Sequence, residues 1–234
     1  MTMHAPSRIA LSIFVVTCAA FVSALAADRA QILGPSGSTY SVPVVTMKGA
    51  RYASTLHQQY DFSCGSAAVA TLLTHHYGHK VDEAEVFRFM FERGDQAKIR
   101  REGFSMLDMK FYLDALGFRA EGVQATLDQL ASVGIPAIAL IKENGYMHFV
   151  VVKGVRGRRV VIGDPALGTR VLDRAMFESY WTNHILLVIN NAMTQARFNR
   201  DEDWRVRPAA PLADAAAGLR DADVMLLRRN PGDF

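Results

Sequence analysis

Helical patterning first and strand patterning second predict an α+β domain, with N-terminal helices packed on an antiparallel sheet. Two observations carry this expectation. Between residues 63 and 134, small-apolar or amphipathic runs follow one another, each opened by a capping residue. After Pro136 the period changes, and short segments rich in Val and Ile alternate with turn residues. A doubly wound fold would instead alternate strand with helix throughout.

Residues 28–50 are polar and broken by Gly and Pro, with one strand-like run at Tyr40–Met47. A first helix is expected from Ser63 through Cys64-Gly65-Ser66-Ala67-Ala68-Val69-Ala70-Thr71-Leu72-Leu73, ending at Gly78. Asp82 with Glu85 opens a second that runs through Glu92, and Ser105 with Asp108 opens a third that stops at Gly117. Thr126 caps a short helix ending near Gly134. Strands are expected at Pro136–Lys142, Tyr146–Lys153, Arg159–Asp164, Thr169–Leu172 and His184–Asn190, with a turn at Gly154–Arg158. Asp173 starts one more helix through Trp181. From Ala192, Pro, Ala, Asp and Arg dominate, which predicts a flexible tail over 192–234.

The 234 residues are 50% hydrophobic and 21% charged, which excludes wholesale disorder. Two cysteines exclude a disulfide-stapled miniature and a zinc site built on several thiolates. A formal charge of +3 without a clustered basic face argues against a nucleic-acid partner. Near the N-terminus, Arg8 precedes the apolar run Ile9–Leu25, and Ala24-Leu25-Ala26 supplies a cleavage pattern. Residues 1–26 are therefore expected to be a signal peptide, making the mature protein periplasmic or secreted, and no other stretch is long enough to span a membrane. The expected organisation is signal peptide 1–26, N-terminal extension 27–49, main domain 50–191 and tail 192–234.

Signal removal leaves one cysteine, Cys64, where the loop Gln58-Gln59-Tyr60-Asp61-Phe62-Ser63 enters the first helix. A thiol at a helix N-terminus faces the positive pole and free backbone amides, which favour thiolate. Gly65 is expected to keep the approach to the sulfur open, and a backbone N–H near Cys64 together with the Gln58 amide could hold an oxyanion. His148 lies in the apolar strand Tyr146-Met147-His148-Phe149-Val150, and the next strand ends in Gly163-Asp164-Pro165. If the intervening turn makes a hairpin, Asp164 comes near His148 and fixes its tautomer. Cys64, His148 and Asp164 would then suit nucleophilic catalysis on a peptide. No cofactor is expected. His75, His76 and His79 are taken as a solvated helix end rather than a metal site. Lys98, Arg100 and Arg101 suggest an exposed loop, and Phe87, Phe89, Phe91 and Phe111 core or groove wall.

Gln58, Cys64 within Asp61-Phe62-Ser63-Cys64-Gly65-Ser66-Ala67-Ala68, then His148-Phe149-Val150-Val151 and Asp164-Pro165 resemble the bacteriocin-processing, double-glycine leader peptidases. These form cysteine peptidase family thirty-nine, whose fold is papain-like. The resemblance implies Cys64 as nucleophile, His148 as general base and acid, Asp164 as its orienter and Gln58 in the oxyanion hole. It also implies cleavage after a Gly-Gly pair in a leader. Ser63 stands where many members are acidic, and there is no ATP-binding motif. The chain therefore resembles the stand-alone exported members, including those tied to functional-amyloid secretion. A non-cleaving module that holds a secretion substrate or exporter component is the alternative, against which the presence of Cys64 counts.

Overall fold

The computed structural model describes residues 29–33, 38–43 and 46–206. The expected signal peptide, and residues 207–234 of the expected tail, lie outside them. The chain divides at Val45/Thr46 into two units. In the first, β1 (Arg29–Leu33) and β2 (Thr39–Pro43) pair antiparallel, with Arg29 opposite Pro43.

The second unit opens with α1 (Met47–Tyr52), capped by the Thr46 hydroxyl, which accepts from the Gly49 N–H at 3.0 Å. The helical layer follows: α2 (Cys64–Thr71) with a π-helical turn at Leu72–His76, α3 (Glu83–Arg93), α4 (Gln96–Glu102) and α5 (Met106–Ala115). Asp82 caps α3, and Ser105 and Asp108 cap α5 reciprocally. Then come β3 (Ala120–Gln124), α6 (Leu127–Val133), β4 (Ala137–Glu143), β5 (Tyr146–Arg156), β6 (Arg159–Asp164), β7 (Gly168–Asp173), α7 (Arg174–Tyr180), β8 (Ile185–Ile189) and α8 (Asp201–Trp204). The six strands from β3 onward form one antiparallel sheet in the order β3-β8-β4-β5-β6-β7. The domain is thus α+β with a helical layer preceding an antiparallel sheet, as expected.

Both faces of the sheet are covered. Phe149 and Val151 pack into the core shared with α2, α3 and α5, whereas Val150 and Val152 pack toward α6 and α7. That is why β5 is a run of Val rather than an alternation of apolar and polar residues. Every residue of α2 is buried, because small side chains let the helix lie close against β5.

Four expectations need revision. Lys98, Arg100 and Arg101 belong to the helix α4, capped by Asp95 and anchored by buried Ile99. His76 is fully buried, not solvated, and its Nδ1 lies 2.6 Å from the Arg197 carbonyl. Phe111 is exposed, whereas Phe87, Phe89 and Phe91 are partly buried against the core. Beyond Ala192 the chain stays on the domain as far as Val206. Asn199 bonds the β5 backbone at Lys153 and Val155, and Asp203 is buried against Lys153 at 2.7 Å.

Candidate active site

Cys64 is the first residue of α2 and is only 6% exposed. The preceding Ser63 does not cap the helix. Its hydroxyl turns back to Tyr60, donating to the carbonyl and accepting from the N–H, both at 3.0 Å. The first-turn N–H groups of α2 are therefore not consumed by a side-chain cap. A Cβ at Gly65 would meet the Phe104 Cβ at 3.0 Å, so the glycine serves packing against the start of α5.

Two of the four expected residues, His148 and Asp164, meet directly. His148, near the start of β5, is buried, and its Nε2 lies 3.2 Å from Asp164 Oδ2 at the end of β6. The hairpin makes this contact, with Arg156 opposite Arg159 and a bulge at Val152/Gly154 setting the register. Asp164 is itself fixed: Oδ1 accepts from the Ala166 and Leu167 N–H groups at 2.9 and 3.1 Å. With Nε2 donating to the carboxylate, His148 Nδ1 is left as the acceptor; it is buried and has no hydrogen-bond partner among the described residues. Cys64 opens α2, which packs against β5, the strand that carries His148.

Gln58 joins through its backbone. Its N–H donates to the Pro165 carbonyl at 3.1 Å, one residue past Asp164. Its side-chain Nε2 donates to the carbonyls of its own loop, Tyr60 at 3.0 Å and Asp61 at 3.4 Å. The Tyr146 hydroxyl closes the same loop onto β5, donating to the Asp61 carbonyl at 2.7 Å. Beside this loop lies an open groove of about 260 Å³ lined by Gln59, Tyr60, Phe87 and Phe91.

Burial pushes the Cys64 thiol up, and the N–H groups of Phe149 and Gly65 oppose this without cancelling it. Asp164 adds to the upward push. The helix N-terminus alone thus does not produce the low-pKa thiolate that its position suggests. Asp164 runs the other way: burial raises it, but His148, Arg170 and the Ala166 N–H together hold its carboxyl below the usual range. Arg170 and its partner Glu143 were not anticipated from the sequence. Arg170 Nη2 lies 3.0 Å from Asp164 Oδ2 and 2.8 Å from Glu143 Oε2. Only the Thr169–Leu172 strand pattern hinted that Arg170 would sit beside the Asp164 turn.

A thiol at a helix start and, on the strand which that helix packs against, an imidazole with a carboxylate partner are the residue types that a cysteine peptidase uses. Over residues 53–193 the chain matches the Peptidase C39 family, and it belongs to that family. It is 40% identical over 162 residues to the probable functional amyloid protease FapD of Pseudomonas fluorescens, covering 69% of this chain and 72% of that one. Its identity to the protein of the same description from Pseudomonas aeruginosa is 36% over 205 residues, covering 86% and 88%. Among solved structures it is similar to the peptidase domain of Streptococcus ComA, a bi-functional ABC transporter involved in quorum sensing. That match has 24% identity and a TM-score of 0.49, and covers 58% of this chain and 98% of the other.

Proposed function

We propose that this cysteine peptidase is exported and cuts a leader or secretion-system peptide after a Gly-Gly-like pair, with Cys64, His148, Asp164 and Gln58 as its working residues. The observation that carries this reading is that Asp164 takes His148 Nε2 and leaves the buried Nδ1 without a partner among the described residues, while Cys64 opens the helix α2 that packs against β5, the strand carrying His148. Burial pushes the Cys64 thiol up, so the reaction calls on His148 as general base toward the thiol.

The sulfur adds to the scissile carbonyl as its proton passes to Nδ1, and the imidazolium that forms is stabilised by Asp164. The oxyanion is met by first-turn N–H groups of α2 and by the Gln58 amide, once substrate draws that amide from the loop carbonyls. Imidazolium then protonates the leaving amine. Water, deprotonated by His148, hydrolyses the thioester and regenerates the thiol. Export is supported by the residue pattern of positions 1–26, and a functional-amyloid substrate by the description of the two Pseudomonas relatives.

The test uses synthetic leader-type peptides carrying a Gly-Gly pair, matched peptides carrying Leu-Leu, and mass spectrometry of the products. Wild type should cut after Gly-Gly only, and folded Cys64→Ala should cut nothing. Cleavage by Cys64→Ala would remove Cys64 as nucleophile, and equal cleavage of the Leu-Leu peptides would remove the specificity.

A further inference from the structure

Arg170 stands outside the four residues assigned above, yet its guanidinium touches the same carboxylate oxygen that His148 uses. Asp164 Oδ2 accepts from His148 Nε2 at 3.2 Å and lies 3.0 Å from Arg170 Nη2. The guanidinium forks onto Glu143 at the end of β4, with Nη1 to Oε1 at 3.3 Å and Nη2 to Oε2 at 2.8 Å. One nitrogen of Arg170 thus lies between two carboxylates. Ligand atoms of Glu143, His148 and Asp164 fall within 4.8 Å of one another, a spacing that would suit a cation, and the guanidinium already supplies that positive charge.

The chemistry needs such a charge. A wholly buried carboxylate beside a thiol helps and harms at once. It orients the imidazole and stabilises imidazolium, but its field opposes a negative sulfur. A neutral amide would avoid the harm, yet could accept from the imidazole only more weakly. A carboxylate shared with a guanidinium keeps the strong acceptor while part of its field is cancelled. Glu143 in turn keeps Arg170, whose side chain is 19% exposed, from swinging toward solvent.

We propose that Arg170, clamped by Glu143, is a positioning residue for the peptidase reaction: it pins Asp164 Oδ2 on His148 and screens the Asp164 charge from the Cys64 sulfur. The inference rests on the reading of Cys64, His148 and Asp164 given above. Of the titratable groups, Asp164 from β6 and Tyr146 from β5 interact with the thiol, and His148 from β5, Arg170 from β7 and Glu143 from β4 are linked to it through Asp164. Glu83 from α3 also reaches the first turn of α2, where it receives the Ser66 hydroxyl at 2.7 Å.

Charge and scaffold roles separate in one experiment on the full chain. The pH dependence of Cys64 alkylation by iodoacetamide and kcat/KM on the Gly-Gly peptide are measured for Arg170→Met, Arg170→Lys and Glu143→Gln. Arg170→Met should move the alkylation profile to higher pH, because Asp164 and Glu143 are then unscreened. Glu143→Gln should move it to lower pH, because one negative charge is gone while the amide oxygen can still accept from Arg170 Nη2 and hold the guanidinium on Asp164. Arg170→Lys keeps the charge and should leave the profile near wild type, but a single ammonium cannot fork between two carboxylates, so kcat/KM should still fall.

In Arg170→Met the fall in kcat/KM should be roughly ten- to a hundredfold, the usual cost of losing an outer partner that orients a working group. Asp164→Asn should cost less in the Arg170→Met background than in wild type, since the two act through one hydrogen bond. Profiles that shift the same way in Arg170→Met and Glu143→Gln, or not at all, would overturn the proposal. So would strictly multiplicative rate losses. If Arg170→Met does not fold, Glu143→Gln and Arg170→Lys decide the question alone. Persistence of cleavage in Cys64→Ala is a separate outcome, which would remove the catalytic reading and not merely the role of Arg170.

Discussion

Replacing Asp203 by Asn should destabilise the domain by about 3 kcal/mol, at the lower end of what breaking a buried ion pair costs. At 2.7 Å from Lys153 Nζ, with an effective dielectric of about 20, the attraction is about 6 kcal/mol. Both side chains are 0% exposed, so desolvation consumes most of that gain, and the loss from removing one partner comes from stranding the other charge. Lys153 would not be left bare. Its Nζ keeps the Ser54 carbonyl at 2.7 Å, the Ser54 hydroxyl at 2.6 Å and the hydroxyls of Thr169 and Thr55 at 3.3 and 3.4 Å, which is the reason for choosing the lower end. The assay is urea unfolding at neutral pH. With a slope of about 2 kcal/mol/M, the midpoint should fall by about 1.5 M.

The pH dependence supplies a second readout. Burial pushes the Lys153 ammonium down to about 8, although Asp203 opposes this, and Lys153 in turn holds the Asp203 carboxyl below its usual range against its own burial. The folded value of Lys153 is below its unfolded value of about 10.4. Between the two the unfolded chain binds more protons, so stability should rise with pH across that window. In Asp203→Asn the group that held Lys153 up is gone, and the rise should begin at lower pH. The double change Lys153→Met with Asp203→Leu should recover stability to within about 1 kcal/mol of wild type, because it strands no charge. A single variant within about 0.5 kcal/mol of wild type, or a double variant no better than the single, would refute the reasoning.

Two further outcomes follow from the same geometry. Gly168→Ala should cost about 2–4 kcal/mol by thermal unfolding, combining a left-handed backbone with overpacking. Gly168 has φ +80°, and an added Cβ would lie 2.7 Å from the Arg51 Cβ; a loss below about 0.5 kcal/mol would show that the turn beyond Asp164 yields freely. Alkylation of Cys64 in the wild-type protein should be slow at neutral pH and accelerate only above the ordinary thiol range, because burial favours the protonated form. Fast reaction persisting at acid pH would contradict a thiol that is protonated at rest.

What the sequence made legible was local. Pro136 to Lys153, Arg159–Asp164 and the caps at Ser105 and Thr126 announced themselves through periodicity and hydrogen-bonding side chains, and they appear within a few residues of the expected bounds. The meeting of His148 and Asp164 was legible for the same reason: a short turn in an antiparallel hairpin fixes which ends approach. β3, with the burial pattern of an edge strand, and α4, seven residues with one buried side chain, carried too little pattern to stand out.

The long-range ionic contacts were hidden for a different reason. Lys153 interrupts a Val-rich strand, and from sequence alone it could as well end the strand as enter the core. Its partner lies fifty residues on, in a segment whose Pro, Ala and Asp content signals disorder, so composition pointed away from the contact that buries it. Gly154 then acquires a meaning that no local rule supplies: a Cβ there would lie 3.1 Å from the Asn199 Cα, so the strand is shaped to receive residues 197–206. Those residues lie past the end of the family match at 193, yet through Asp203 they hold Ser54, four positions before Gln58. Cutting the chain at the family boundary would therefore remove a wall of the domain that carries the site, and the unfolding cost of Asp203→Asn measures how much of that wall rests on one buried charge pair.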